Sequence, residues 1–197
     1  MAGSMTLPNF QQIEDQLYSE GVEAIIRFGQ EHGDDLCSFF AYDVDPLYGN
    51  VFLSFDTFDN SIKMARENEQ QAIARRANML NMEWSWQSAR RYSTDPLVLD
   101  YSPDIGHFAY ADFRALFFPE WEEVSDSEHY PRGEREPDPD DYMEGNLRIV
   151  LWKAIERLIA SDAFAPLCLA SPFRVGYQLH ERELVVLRIL NWPAASW

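Results

Sequence analysis

The sequence is poor in cysteine and has no long apolar run. Its two cysteines, Cys37 and Cys168, lie in the apolar stretches "DDLCSFF" and "APLCLAS", and they give no spacing pattern for a metal site or a disulfide framework. We expect buried, reduced thiols in a cytoplasmic protein, with a disulfide between them as the alternative.

No stretch approaches the ~20 apolar residues of a membrane helix. No basic segment followed by an apolar run opens the chain, so we predict neither a membrane span nor a secretory signal.

Positive charge is also scarce. The 197 residues hold 33 Asp and Glu against 16 Lys and Arg, which gives a formal net charge of −17. Such a chain repels phosphates, and this argues against a nucleic-acid-binding surface and against an anchor on an anionic membrane. A basic partner protein would be attracted, so the charge favours protein binding as the first function class.

Recognisable catalytic motifs are missing. The nine glycines are scattered and form no phosphate-binding loop, and the chain has no G-x-S-x-G elbow and no H-E-x-x-H pair. The histidines are too separated to show metal-ligand spacing: they are His32, His107, His129 and His180. We therefore predict no catalytic residues, no metal and no cofactor.

Two weak clusters keep an enzyme as the alternative. Asp104, His107 and Asp112 would supply a carboxylate–imidazole–carboxylate metal site, although a loop histidine with nearby acids is usually a solvated surface feature. Asp43 and Asp45 place two carboxylates on one side of a strand end, where they would hold Mg²⁺ or act as an acid/base pair. The simpler interpretation of that pair is a strand end and turn rich in Asp.

Core-forming residues are abundant, at 46% hydrophobic and 14% aromatic, in a length usual for one domain. We interpret "MAGSM", residues 1–5, as a remnant of cloning ahead of a native start at Met5, and 6–197 as a single domain. Apolar spacing near 3.6 residues predicts helices at 9–31, from Asp59 or Ser61 to about 82, at 142–161, and a shorter one from about Tyr110. Strand-like runs occupy 36–44, 51–55 and 173–179.

Two segments carry further expectations. In the helix at 142–161, Ile149, Trp152 and Ile159 widen the apolar face, so we expect packing on more than one side, with Trp152 in the core. Segment 183–191 is ambiguous between strand and helix, and its β-branched content favours a strand. Together the elements predict an α+β fold: a small, mostly antiparallel sheet covered by three or more helices, in a single domain.

An acidic segment, residues 120–144, interrupts this core-forming pattern. It holds eleven acidic residues against Arg132 and Arg135 and carries more than half of the net charge. Pro131, Pro137 and Pro139 prevent a continuous helix, and like charges keep such a segment extended, so we predict a long acidic surface loop. Loops of this length are either functional or disordered, and an insertion without a task is the alternative.

We interpret the acidic segment as a recognition surface for a cationic protein, in which complementary fields raise the association rate and aromatic anchors supply affinity. The predicted partner-binding residues are Trp121, Glu122, Glu123, Asp126, Glu128, Tyr130, Glu136, Asp138, Asp140 and Asp141. Two alternatives compete: Trp121 packs on the core, or the chain's own arginines neutralise the segment. The candidate arginines are Arg75, Arg76, Arg90 and Arg91.

Several short stretches, taken in order, resemble a bacterial family catalogued as domain-of-unknown-function family 4303. "FFAYDVDPLYGNVFLSFDT" resembles its opening hairpin, which ends in a polar Asn/Asp-Thr before a helix. "DYSPDIGHFAY" resembles its Trp-Ser-Pro segment, with Tyr101 in place of the usual Trp and a longer spacing at 104–108. "VGYQLHERELVVLRILN" resembles its closing strand and Leu-Asn end. The family occurs in gene neighbourhoods of bacterial toxin systems, so the resemblance implies an immunity-type role and brings no catalytic residues.

Charge and resemblance together predict a non-catalytic acidic binding protein, an immunity-type inhibitor that docks on a basic partner protein or toxin. The predicted partner is neither a nucleic acid nor a membrane. A metal-dependent enzyme that uses an Asp/His cluster is the alternative. A structural, oligomer-forming protein is a third hypothesis, which the mass in solution would test.

Overall fold

A computed structural model describes residues 8–46, 48–81, 101–102, 104–119, 139–180 and 182–191, with all their side chains except those of 75–81 and 139–143. The elements in chain order are helix α1 (Phe10–Glu31), strands β1 (Cys37–Asp45) and β2 (Asn50–Thr57), helix α2 (Phe58–Asn81), a 3-10 turn (Ile105–His107), strand β3 (Tyr110–Phe117), helix α3 (Pro139–Ala160) and strands β4 (Leu169–Leu179) and β5 (Val185–Leu190). The predicted α+β class is confirmed, as is a strand within 183–191. None of the described helices is both long and apolar enough to cross a membrane.

The five strands form one mixed sheet in the order β3-β2-β1-β4-β5. β1 and β2 make the antiparallel hairpin that the turn residues between them predict, and β3 and β5 pair antiparallel with their neighbours at the two edges. The central pair, β1 and β4, is parallel, so the prediction of a mostly antiparallel sheet needs correction. A parallel pair requires a crossover connection, and helix α3 lies in the connection that leads to β4.

One face of the sheet carries the main core. Alternate residues of β1 point into this core, namely Phe40, Tyr42 and Val44, and helices α1 and α3 cover them. Buried residues recur every three or four positions along α1, at Ile13, Leu17, Gly21, Ala24 or Ile25, and Phe28. Each large side chain buried in this way stabilises the fold by roughly 1.5–3 kcal/mol relative to an exposed one.

Helix α1 comes very close to its neighbours at Gly21. A Cβ atom placed there would lie 2.5 Å from the hydroxyl oxygen of Tyr42 and 3.1 Å from the Leu158 side chain. The Tyr42 hydroxyl is buried and donates a hydrogen bond to the carbonyl oxygen of Leu17 at 2.9 Å, and burial raises the pKa of Tyr42. The missing side chain of Gly21 therefore lets α1 rest on both β1 and α3.

Strand β3 replaces the short helix that the sequence predicts from about Tyr110. The stretch "YADFRALF" contains good helix formers, but β2 offers it a strand edge to pair with. Leu116 lies opposite Val51, and Arg114 lies opposite Leu53. Strand pairing in the folded chain thus overrides the local helix propensity.

Helix α3 begins at Pro139, earlier than predicted, which agrees with the preference of proline for the first turn of a helix. The predicted loop at 120–144 therefore does not extend through residues 139–144.

Ile149 and Trp152 are 52% and 45% exposed, so the expected core position of Trp152 is wrong. The helix packs on the main core through one face, and Trp152 lies on the opposite face.

The two cysteines differ in burial. Both are free thiols, as the prediction of reduced cysteines requires. Cys37 is buried at the start of β1, and burial raises the pKa of its thiol. Cys168 is exposed because it ends the turn between α3 and β4, so its predicted burial is wrong.

Candidate functional site

The sheet face opposite the main core, here called the polar face, carries the most unusual carboxyl among the described residues. Phe39, Ala41 and Asp43 alternate with the core residues of β1 and therefore lie on this face. Phe39 and Ala41 pack in a small buried cluster with Ile105 and Phe108. Further along the strand the apolar cover ends, and Asp43 is only partly buried.

Polar groups from neighbouring elements surround Asp43. Its Cα partners are Phe52 on β2 and Gln178 on β4. The Gln178 side chain accepts a hydrogen bond from the N–H of Ile105 at 3.0 Å and donates one to the carbonyl oxygen of Arg182 at 3.0 Å. Gln178 thus ties the 3-10 turn to the sheet beside Asp43, a role that no sequence motif indicates.

The environment of Asp43 disfavours its negative charge. Burial, followed by the charge of Asp112, raises the pKa of Asp43 to about 6. Asp104 and Asp45 act in the same direction, and His180 acts against them. The structure therefore brings the two weak clusters of the sequence analysis into one electrostatic neighbourhood. His180, which the sequence analysis leaves outside both clusters, also acts on Asp43.

The three members of the other cluster have separate local roles. Asp104 caps the 3-10 turn by accepting a hydrogen bond from the N–H of Gly106 at 2.9 Å. His107 Nδ1 lies 4.0 Å from Asp104 Oδ2, and both side chains are about half exposed. Asp112 has a positive φ of 55°, and its N–H donates to Ser54 Oγ at 3.1 Å. Backbone geometry thus accounts for the position of each carboxylate.

This arrangement offers a carboxyl group, that of Asp43, with a pKa of about 6. A pKa in this range is useful to a general acid or base. Within the part of the chain that the structure describes, no group of three or more His, Cys, Asp or Glu side chains could hold a metal ion. The metal-dependent enzyme stays an alternative prediction.

Asp56, which the sequence analysis does not single out, is fully buried at the end of β2. Its Oδ1 atom accepts hydrogen bonds from the N–H groups of Thr57 and Ala109, both at 3.0 Å, and from Asn60 Nδ2 at 2.7 Å. Its Oδ2 atom accepts from Ser61 Oγ at 2.5 Å. A buried carboxylate needs such partners, and these join β2, α2 and the start of β3. In the sequence, Asp56 and Thr57 stand directly before helix α2. Aspartate and threonine are common at helix starts, and this position is the sequence signal that indicates a structural role for Asp56.

Most of the predicted partner-binding residues lie outside the described residues. These are Trp121, Glu122, Glu123, Asp126, Glu128, Tyr130, Glu136 and Asp138. Asp140 and Asp141 are placed in the first turn of α3 and not in a loop.

The described arginines are largely engaged with carboxylates elsewhere in the chain. Arg27 pairs with Glu31, Arg114 with Glu20 and Glu23, Arg157 with Glu14 and Asp15, and Arg188 with Glu156. Glu144 is the one residue of the acidic segment whose side chain the structure describes. It accepts hydrogen bonds from Arg148 at 3.4 Å and from Arg182 at 3.2 Å. The C-terminal end of the acidic segment is therefore partly neutralised by the chain itself.

Comparison with known proteins yields no significant match: no protein-family model, no curated protein and no solved structure matches this chain. The resemblance to domain-of-unknown-function family 4303 stays a prediction that rests on its short motifs.

Proposed function

We propose that this chain is a non-catalytic acidic binding protein, an immunity-type inhibitor that docks on a basic partner protein. The observation that carries the proposal is the concentration of charge: the acidic segment holds eleven acidic residues and two arginines, in a chain of net charge −17. Clustered like charge costs stability unless a partner compensates it, and a cationic protein surface is the complementary partner.

Internal compensation is the main rival explanation, and the numbers of charges argue against it. Arg27, Arg114, Arg157 and Arg188 are occupied by acids outside the segment, while Arg148 and Arg182 share Glu144. Six further candidates are Lys63, Arg66, Arg75, Arg76, Arg90 and Arg91. If all six paired with the acidic segment, together with its own Arg132 and Arg135, it would still carry more acidic than basic groups. A net negative field is thus left for a partner.

The proposal makes a prediction about association kinetics. Complementary charge raises the rate at which the partners meet, and salt screens it over a Debye length of about 8 Å at physiological ionic strength. We expect the tagged chain to retain a basic protein from a lysate of its host at 50 mM NaCl. With that protein purified, the association rate constant should fall at least about tenfold between 50 and 500 mM NaCl.

Two triple variants with the same change in net charge test whether the acidic segment is responsible for the fast association. Glu122→Gln, Glu123→Gln and Asp126→Asn remove three charges from the acidic segment. Glu67→Gln, Glu183→Gln and Asp34→Asn remove three from exposed positions elsewhere, with the same change in net charge. The first triple variant should slow association several-fold more than the second. Equal rates for the two variants, or a rate that does not respond to salt, would contradict the proposal.

A further inference from the structure

Two large apolar side chains are exposed side by side on the outer face of helix α3. Ile149 is 52% exposed and Trp152 is 45% exposed, while Leu147, Val150 and Leu151 on the other face are buried. Residues three apart on a helix are neighbours on its surface, so Ile149 and Trp152 form one patch, here called the Trp152 patch. Single exposed apolar residues are ordinary, but a tryptophan paired with an isoleucine is typical of a contact surface.

Ion pairs internal to the chain border the Trp152 patch. One turn before Trp152, Arg148 contacts Glu144 at 3.4 Å; one turn after it, Glu156 contacts Arg188 at 2.6 Å. Because each of these charges already has a partner, the border is close to electrically neutral. An apolar centre inside a polar rim is the usual anatomy of a protein–protein interface, with the aromatic residue as its main energetic contribution.

The Trp152 patch lies within reach of the acidic segment. Helix α3 begins at Pro139, so thirteen residues separate that position from Trp152 along the helix. At 1.5 Å per residue the distance is about 20 Å. A standard interface buries about 800 Å² on each partner and is wide enough to span this distance. One partner can therefore contact the patch and the helix end to which the acidic segment is attached.

We propose that the Trp152 patch is the apolar docking site for the basic partner, an inference that rests on the proposed function. The partner would present an apolar pocket for the indole ring, flanked by lysine or arginine side chains that complement the negative charge of this chain. A second copy of this chain fits poorly, because two molecules of net charge −17 repel each other. The acidic segment would govern the rate of association, and the Trp152 patch would govern the rate of dissociation.

Matched substitutions test this division of roles with the purified basic protein retained in the pull-down described above. Trp152→Ala should raise the dissociation rate constant at least about tenfold and change the association rate constant less than about threefold. Ile149→Ala should raise dissociation several-fold. Ile26→Ala is the control, because Ile26 is an isoleucine on helix α1 that is 41% exposed, and it should leave both rates unchanged. Since all three side chains are exposed, unchanged thermal melts would show that the variants fold.

The outcomes separate the two proposals. Salt-dependent association with an unchanged dissociation rate for Trp152→Ala would overturn the docking site and leave the proposed function standing. Association that does not respond to salt, or a pull-down that retains no basic protein, would overturn both. A dimer of the purified chain that Trp152→Ala dissociates, measured by sedimentation equilibrium, would show that a second copy occupies the patch and would also overturn the docking proposal.

Discussion

The protonation state of Asp43 affects the stability of the folded chain. Its pKa is raised to about 6 in the folded chain, above the ordinary value of 3.8, by burial and by the neighbouring carboxylates. The folded chain therefore binds a proton at Asp43 more tightly than the unfolded chain does. The associated stability is fully present below pH 3.8 and is lost as the pH rises through 6.

Asp43→Asn should accordingly be stabilising at high pH and close to neutral at low pH. Because the side chain is only partly buried, we expect a gain of about 1–2 kcal/mol in the free energy of unfolding at pH 8, and little change at pH 4. Urea denaturation at the two pH values measures both numbers. Asp34→Asn, at an exposed position, controls for the general benefit of removing one negative charge and should gain less than about 0.5 kcal/mol at either pH. Equal effects of the two substitutions at pH 8 would refute this account of Asp43.

Among the elements, the contact of helix α1 with β1 and α3 at Gly21 is a sensitive point of packing. Gly21→Ala should destabilise the chain by about 1–3 kcal/mol, since the added methyl group would meet the Tyr42 hydroxyl oxygen at 2.5 Å. In a Tyr42→Phe background the same substitution should cost less, because that oxygen is gone. The coupling in this double-mutant cycle reports the contact directly.

Gly145→Ala is the matched control for that cycle. Gly145 also lies within a helix, and a Cβ atom there would meet nothing within 4 Å. The substitution then changes only the helix propensity of this position, and it should stabilise the chain by about 0.5–1 kcal/mol. Chemical denaturation of the four variants provides the comparison. A stabilising effect of Gly21→Ala would mean that α1 is farther from β1 than described.

The sequence was informative about elements whose pattern is local. The apolar spacing of α1 and the hairpin of β1 and β2 follow from residues close together in the chain, and both were predicted. Strand β3 was missed because its residues favour a helix, and only pairing with β2 makes it a strand. The parallel pairing of β1 with β4 could not be deduced, since nothing local specifies which strand joins the second edge of a hairpin.

For the candidate site too, the residues could be predicted from the sequence, but their arrangement in space could not. The sequence named Asp43, Asp45, Asp104 and Asp112 as two separate groups, from their spacing alone. The hydrogen bond between Ile105 and Gln178 brings the 3-10 turn with Asp104 towards Asp43, and the pairing of β3 with β2 brings Asp112 there. Burial was also unpredictable for Trp152, since an apolar stripe does not state which of its members remain exposed.

The whole molecule carries enough negative charge for self-repulsion to affect its stability. With a net charge of −17, salt should stabilise the folded chain by screening repulsion more than it destabilises the chain by weakening exposed ion pairs such as Arg157–Asp15. We expect the urea midpoint to rise between 20 and 300 mM NaCl. The variant with Glu122→Gln, Glu123→Gln and Asp126→Asn should show a smaller rise. A midpoint that falls with salt would indicate that ion pairs dominate over repulsion.

The position of β4 beside β1 also affects how the chain is made. Cys37 pairs with Leu169, so one side of the central strand stays unpaired until the ribosome has produced the C-terminal part of the sheet. At about 5–20 residues per second, that delay is on the order of ten seconds. Until β4 has been synthesised, this edge of the first hairpin stays open to pairing with strands of other chains, and the sheet closes only after that point.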